Sequence, residues 1–599
     1  QPSADFPAQL GWFKQFKKIL PLTAGLRRVR IAVMGNGTLN FLADLLRLWL
    51  GLEGYVAEIY LCAYNSWRQE ILDSQSAFYA FRAEIVWLLA SERDVDFGQI
   101  APGADTAACE AAVEFIAQEW RSCWEQIQRH RPVRIIQCNV EEPPLRVFGH
   151  YEAAVPWSRS SLIHALNRSV SEFARQDQVG LFDLAYIAAC FGLTRWREDR
   201  HWQQSKQPFH PDAFGMVAFQ FARLVGSMLG SMRKCIVVDL DNTLWGGVIG
   251  DDGVEGIQLG DGAAGGAFAA FQDYLKDLLK RGILLAVCSK NDQAIAEEPF
   301  QKHPAMRLKL EDISCFCANW ENKADNLRKI AKTLNIGLDS LVFVDDNPSE
   351  RELVRSQLPE VSVVAMPEDP SEYAAALAAG CFFETASFST EDAARVQFYR
   401  ENSLRESSRQ AATDLSGFLR DLEMVADSGS LDSFHLPRMA QLLAKTNQFH
   451  LTTTRYSEAE LTALEQNAKT WMRWYSLRDR FGDHGLISVA ILCPEEDAMA
   501  IDTWAMSCRV FNRGMEEFIF LDMLDAARAM GASRLIGRYR PTAKNHPVAG
   551  LYKRLGFAFD GSEDSTNRWV LDLSAPMAQA PPYITPTAKR EEAPLAEAR

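Results

Sequence analysis

Short, dense apolar runs alternate with amphipathic stretches along most of the 599 residues. The run 236–238, Ile-Val-Val, has the β-branched signature of a buried strand, and 284–288 and 341–344 repeat the theme. Between these runs, 268–280 and 292–300 read as helices that pack on a sheet, and 327–334 carries a helical pattern. Upstream, 29–34 and 133–140 are expected strands and 41–50 an apolar helix. Downstream, 503–508 is a strand candidate and 515–530 an amphipathic helix. Strands and helices in alternation predict an α/β chain, and the length predicts several domains.

The pattern divides the chain into blocks. Residues 1–230 form a first α/β block and 231–380 a second. A polar, helical connection is expected over 381–423, and a third, α+β block over 424–573. The end, 574–599, is Pro- and Ala-rich and charged, with too few large apolar residues to pack, and reads as a linker or disordered tail.

Composition narrows the function classes. Apolar residues make up 47% of the chain, enough for each block to bury a core. The formal net charge of −15 argues against nucleic acid and anionic membranes as partners. No apolar run approaches the roughly 20 residues needed to span a bilayer, and no signal peptide is evident. The first residue is Gln1 rather than Met, so processing ahead of it is expected. Twelve cysteines without regular spacing fit a reducing cytosol, which gives a cytoplasmic location as the expectation. Cys315-Phe-Cys317 is too close for a metal-type pair and is expected within a strand.

The strand ends carry the candidate chemistry. Asp239, Asp241 and Thr243 follow the first central run, where ligands bind in an open α/β sheet. Two acids there can hold a cation, and one can attack phosphorus. Ser289 ends the second run, Lys323 precedes the 327–334 helix, and Asp345 and Asp346 end the third run. This order of acid pair, hydroxyl, lysine and acid pair resembles the haloacid dehalogenase-like phosphotransferase superfamily over about residues 233–370. The resemblance implies that Asp239 is the nucleophile, forming an aspartyl-phosphate, and that Asp241 is the general acid/base. Thr243, Ser289 and Lys323 would bind the phosphate. Asp239, Asp241 (through its main-chain carbonyl), Asp345 and Asp346 would hold Mg²⁺, a cation that prefers oxygen ligands. Only 47 residues separate Asp241 from Ser289 and 33 separate Ser289 from Lys323, and the sheet-packing segments take most of them. Little is left for a cap domain, so an open site suited to a group on a carrier protein is expected.

The third block has its own signature. Arg509-x-x-Asn512-Arg513-Gly514 stands just before the 515–530 helix, and 545–557 reads Asn-His-Pro-Val-Ala-Gly-Leu-Tyr-Lys-Arg-Leu-Gly-Phe. Both resemble the GNAT acyltransferase family, in which a loop at a helix N-terminus receives a pantetheine pyrophosphate. Asn512 replaces the family's first glycine, which points to a carrier-borne phosphopantetheine arm rather than free CoA, with Arg509 or Arg513 on its phosphate. Tyr552 is the candidate general acid to a leaving thiolate, or a packing tyrosine. In the first block, Gly35-Asn36-Gly37-Thr38 and Phe209-His210-Pro211-Asp212 resemble SGNH-type hydrolases without the nucleophilic serine, and Gln207 stands where that pattern has Asp. A flavodoxin-like or SGNH-like, non-hydrolytic domain is expected.

Longer motifs are narrower still: 239–253, 288–291, 345–348, 445–453 (Lys-Thr-Asn-Gln-Phe-His-Leu-Thr-Thr), 502–509 and 539–545. Together they resemble the FkbH-like family of polyketide and nonribosomal pathways over residues 25–572. The resemblance implies a bifunctional enzyme that takes the glyceryl group of 1,3-bisphosphoglycerate, removes phosphate and delivers D-glyceryl to the phosphopantetheine thiol of an acyl carrier protein. Two cysteines are candidates to carry the acyl group. Cys508 stands beside Arg509, which favours a thiolate, and Cys288 adjoins Ser289 but alternates with it in a strand and so faces the opposite side. Two other readings remain: a small-metabolite phosphatase fused to an acetyl-CoA-dependent N-acetyltransferase, and a non-catalytic carrier-protein scaffold.

Overall fold

The computed structural model describes residues 5–19, 26–98, 100–388, 395, 397, 414–507, 510–542, 544–563, 565–574 and 581–587. The chain divides into two compact units, Gln1–Gly226 and Ser227–Arg599. Among the described residues no helix is long and apolar enough to cross a membrane.

In the first unit, β1 (Arg27–Gly35), β2 (Tyr55–Leu61), β3 (Ile85–Leu89), β4 (Arg134–Cys138) and β5 (Gly180–Phe182) form a parallel sheet in the order β2-β1-β3-β4-β5. This is the flavodoxin-type doubly wound order. All five residues of β3 are buried, as a strand covered on both faces requires. Helices Thr106–His130 and Arg159–Gln176 bring Trp120, Trp124, Ile163 and Leu166 against Val86 and Leu88 on one face. Trp87, which alternates with them, stacks on Phe221 with ring centroids 3.6 Å apart.

The second unit opens with another parallel sheet, of β6 (Cys235–Val238), β7 (Leu284–Ser289), β8 (Cys315–Ala318), β9 (Leu341–Val344) and β10 (Ser362–Val363), in the order β10-β9-β6-β7-β8. Period-2 alternation splits its core in two. Ile236, Val238, Leu285 and Val287 pack under Phe268, Phe271 and Leu275 of helix Ala263–Lys280. Cys235, Val237, Ala286 and Cys288 pack under Leu327, Ile330 and Val354 on the other side. The connection from β6 to β7 holds only the short helix Ile249–Gly256 and the helix Ala263–Lys280, and that from β8 to β9 holds helix Lys323–Thr333 and a 3₁₀ turn. Neither contains a cap domain.

A nine-stranded mixed sheet follows: β11 (Met424–Gly429), β12 (Phe449–His450), β13 (Trp471–Asp479), β14 (Gly482–Glu495), β15 (Ala498–Met506), β16 (Arg534–Tyr539), β17 (Ala558–Glu563), β18 (Thr566–Asp572) and β19 (Ile584–Pro586). β15 and β16 pair in parallel only from Ala498↔Arg534 to Ile501↔Gly537. Beyond that they part, and the segment 449–451 fills the gap. Phe449 pairs with Met506 and His450 with Ala505, while Leu451 accepts from Arg540 N at 2.8 Å.

One sequence expectation is corrected here. Residues 581–587, read as part of a linker or disordered end, form an ordered strand. β19 pairs in parallel with Met424–Ala426, and both Thr587 N and Oγ1 donate to Ala426 O. The edge of β11 supplies hydrogen bonds that compensate for a segment with few large apolar residues. Most of the expected 381–423 connection, and residues 575–580 and 588–599, lie outside the described residues.

Candidate active site

The carboxyl ends of β6, β7 and β9 converge because the three strands are adjacent and parallel. Asp239 follows β6, Ser289 closes β7, and Asp345 and Asp346 follow β9. Each of Asp239, Asp345 and Asp346 offers an oxygen within 4.8 Å of the others. Lys323, 2% exposed at the start of helix Lys323–Thr333, places its Nζ 3.0 Å from Asp239 Oδ2 and 2.5 Å from Asp345 Oδ2. Four residues picked out along 108 positions of sequence thus meet in one largely buried cluster, with Ser289, 2% exposed, at the adjoining strand end.

Asp241 turns its side chain elsewhere. Trp245 Nε1 and Ile249 N each donate to Oδ1 at 3.0 Å, and Asn291 Nδ2 donates to Oδ2 at 3.0 Å. A carboxyl held by three donors has a fixed orientation. Thr243 is corrected from a phosphate ligand to a positioning residue. It is fully buried, its Oγ1 donates to Asp346 Oδ1, and Asp346 N donates back to it, both at 3.2 Å.

Burial pushes the Asp345 carboxyl up to about 6, with Asp239 adding repulsion and Lys323 opposing both. Asp346 and Asp241 are also raised, by burial first. Burial alone would lower the Lys323 ammonium, but Asp239 and Asp345 more than reverse this and raise it. Asp239 Oδ1 is buried without a hydrogen-bond partner. Crowded carboxylates with an orphaned oxygen are the donor set a hard divalent cation satisfies, so the residues fit Mg²⁺.

Two partners were passed over in the sequence. Asn291 lies two residues after Ser289, so period-2 alternation was the signal available for it. Arg351 Nη1 donates to the carbonyls of Asp345 at 2.7 Å and Asp346 at 2.6 Å, holding the acid loop. No local pattern marks it.

Cys288 is corrected as an acyl carrier. It is fully buried in the core beneath helix Lys323–Thr333, and burial raises its thiol well above the usual range despite nearby Lys323. Cys508 and Arg509 lie outside the described residues.

The loop at the start of helix Met515–Ala529 is also corrected. Asn512 adopts the left-handed conformation (φ 58°), as its residue type permits. Its N–H, however, already donates to Glu516 Oε1 at 3.0 Å. Arg513 Nη1 is 3.3 Å from buried Asp479 and 3.2 Å from His484 Nε2. At Gly514 (φ 81°) an added Cβ would lie 2.7 Å from the Tyr583 hydroxyl, so the strand-β19 region covers this helix end. Glu516 and Glu517 complement the helix dipole in its first turn. A pyrophosphate would meet two carboxylates and a closed loop.

Tyr552 is corrected to a packing residue. It is 1% exposed, lies against Gly537, and donates its hydroxyl to Arg538 O at 3.3 Å. Burial raises its phenol far above the usual range. Tyr552→Phe is expected to cost about 1 kcal/mol of stability and to leave acyl transfer within about twofold, read by thermal melting and by transfer rate.

In the first unit, Thr38 Oγ1 donates to Ser205 O at 2.6 Å, and His210 Nδ1 accepts from Asp212 N at 3.1 Å. Both groups are committed to the backbone. At this sheet's strand ends Glu141 is buried, and burial raises its carboxyl to about 7.

A family model described as FkbH, N-terminal domain, matches residues 30–225. The crystal structure of the N-terminal part of the protein BF1531 from Bacteroides fragilis, containing a phosphatase domain and complexed with Mg, is 34% identical. The likeness covers 63% of this chain and 99% of that one, with a TM-score of 0.58. The chain belongs to the FkbH-like family. As a member it is an enzyme, with a phosphatase-type fold in its middle block. Two further solved structures are similar over the third block. They are the ribosomal-protein-S18-alanine N-acetyltransferase from Escherichia coli (17% identity, 25% of this chain and 96% of that, TM-score 0.20) and the GNAT domain of S. lividans PAT (13%, 24% and 89%, 0.20). A comparison with curated protein sequences gives no match.

Proposed function

We propose that this FkbH-like enzyme takes D-glyceryl from 1,3-bisphosphoglycerate, removes the remaining phosphate and loads the acyl group onto the phosphopantetheine thiol of an acyl carrier protein in the cytoplasm. The observation that carries the reading is the cluster of Asp239, Asp345 and Asp346 at strand ends with Lys323 at a helix start, and no cap domain in either connection. A capped site sorts small metabolites by enclosure. An open one admits a phosphoryl group at the end of a long arm.

In the dephosphorylation, an Asp239 carboxylate oxygen forms a bond to phosphorus as the ester O–P bond breaks, and Asp241 gives the leaving oxygen its proton. Water then attacks the aspartyl-phosphate, and Asp241 takes that water's proton. Ser289 and Lys323 hold phosphoryl oxygens, and Lys323 exchanges its ion pair with Asp239 for one with the phosphoryl group. Asp239, Asp345, Asp346 and the Asp241 carbonyl are the residues to hold Mg²⁺, which when bound neutralises charge on the transferring group. EDTA is expected to stop phosphate release and Mg²⁺ to restore it. Ca²⁺ is not, because its longer, looser coordination misplaces the in-line geometry. A colorimetric phosphate assay checks this.

The acyl half starts from an activated acyl phosphate. A cysteine thiolate attacks the carbonyl carbon, phosphate leaves, and the carrier thiolate then displaces the cysteine. The closed loop at Asn512–Gly514 speaks against the acetyl-CoA alternative. Intact mass of a holo acyl carrier protein after incubation with enzyme, Mg²⁺ and 1,3-bisphosphoglycerate tests the reading. A glyceryl increment is the expected result. An unmodified carrier, with acetyl-CoA acylating a small amine instead, would overturn it.

A further inference from the structure

Among residues 231–387 the large apolar side chains left exposed are Val248, Ile295 and Trp320. All three follow strand ends on the side of the parallel sheet that carries Asp239. Val248 comes after β6, Ile295 after β7 and Trp320 after β8, and these strands are neighbours in the sheet. Trp320 is the most open, at 76% exposed. Single exposed apolar residues are ordinary on a protein surface, but several gathered in one place mark a binding site.

Each position is tied closely to the groups of the Asp239 site. Val248 immediately precedes Ile249, whose N–H donates to Asp241 Oδ1 at 3.0 Å. Ile295 follows Asn291, whose Nδ2 donates to Asp241 Oδ2 at 3.0 Å, by four residues. Trp320 adjoins Asn319, whose N–H donates to Ser289 O at 3.1 Å, and stands three residues before Lys323. The segments themselves adjoin. Helix Ile249–Gly256 packs on helix Gln293–Lys302, and Phe300 of the latter meets Phe316 of β8 with ring centroids 5.7 Å apart.

The turn that carries Trp320 is held in place. Fully buried Asn326 donates from Nδ2 to Asn319 Oδ1 at 2.8 Å, and Asn319 Nδ2 donates back to Asn326 Oδ1 at 3.3 Å. Glu321 N also donates to Asn319 Oδ1, at 2.9 Å. Asn322 then caps helix Lys323–Thr333 by accepting from Ala324 N at 2.8 Å. Nearby charges are spent on one another: Lys290 pairs with Glu350 at 2.5 Å, and Lys329 with Glu321. What this turn offers a ligand is an indole ring on a fixed backbone, which lowers the ordering cost of binding.

We propose that Val248, Ile295 and Trp320 form an apolar collar that grips the organic chain carried by the phosphate at the Asp239 site. The site then chooses among phosphate esters by the apolar length of that chain. Ser289, Lys323 and the carboxylates meet the same phosphoryl group in every ester and make no such choice. Neither crossover connection carries a cap domain to make it, so the rim is what remains. The occupant is an uncharged, flexible chain of several carbons, because the collar supplies apolar surface and an aromatic ring while the lysines beside it are paired. The inference rests on the reading of the Asp239 site as a phosphoryl-transfer site, and adds what that site selects beyond the phosphate.

Alkylphosphonates, whose C–P bond survives phosphoryl transfer, report this as binding alone. In isothermal titration of the full chain in Mg²⁺ buffer, hexylphosphonate should bind at least about tenfold more tightly than ethylphosphonate, because its four extra methylenes are shielded from water. Trp320→Ala should bring that ratio below about threefold, with circular-dichroism melting unchanged, and Trp320→Phe should keep it. Ser289→Ala should weaken both phosphonates alike, as a residue that holds the shared head group. A parent ratio near one, or a ratio that survives Trp320→Ala, would overturn the proposal. So would hexylphosphonate binding that Ser289→Ala leaves unchanged, since the chain would then sit elsewhere. If neither phosphonate binds, the collar is refuted, and phosphate release that still depends on Asp239 would show that the phosphatase reading outlives it. A carrier protein that stays unloaded while the ratio holds would count against the glyceryl reading alone.

Discussion

Asp239→Asn is expected to reduce Mg²⁺-dependent phosphate release by about 10³-fold or more, with no loss of thermal stability. The substitution keeps shape and removes the one oxygen nucleophile that follows central strand β6. It also removes a negative charge from a cluster in which burial and mutual repulsion already raise Asp345 and Asp346. Lys323 keeps its 2.5 Å partner in Asp345, so the ammonium is not stranded. Chemistry and stability should therefore separate: release falls while the melting temperature holds or rises. Phosphate release at the parent rate would refute Asp239 as nucleophile. A large fall in melting temperature would instead mean that the ion pair with Lys323 is structural.

The second large effect is expected at Cys508. Brief exposure to the acyl donor without carrier protein should leave a glyceryl adduct on the chain, and tryptic mapping should place it at Cys508. Cys508→Ser should lower both the adduct and carrier loading by about 10²-fold or more, while phosphate release from a simple ester persists. Of the two cysteines beside candidate motifs, Cys288 is sealed in an apolar core with its thiol held protonated, whereas Cys508 stands next to Arg509, a neighbour that favours the thiolate. Cys288→Ala should form the adduct as the parent does. An adduct on neither cysteine would favour direct attack by the carrier thiol on the acyl phosphate.

The strand-end positions of the candidate polar residues were legible in the sequence because strand ends are local features. A buried parallel strand announces itself by a continuous apolar run, its period of two fixes which neighbours share a face, and the first polar residue after it stands where ligands bind. Asp239, Ser289, Asp345 and Asp346 needed only that rule, and the same rule placed Cys288 on the face opposite Ser289. What each remaining polar group faces depends on segments far apart in the chain, which meet only in the folded molecule. Thr243 is taken up by Asp346. Tyr552 is buried against β16. The Asn512–Gly514 loop is closed by Glu516 and by Tyr583, a residue from an end that composition marks as unstructured. Lys544 pairs with Asp339 across more than 200 residues of sequence. Local patterning is enough to say which residues stand at strand ends and which face the core. The packing of distant segments decided which polar groups are already satisfied and which are left for a ligand, because burial and hydrogen-bond partners are properties of neighbours in space.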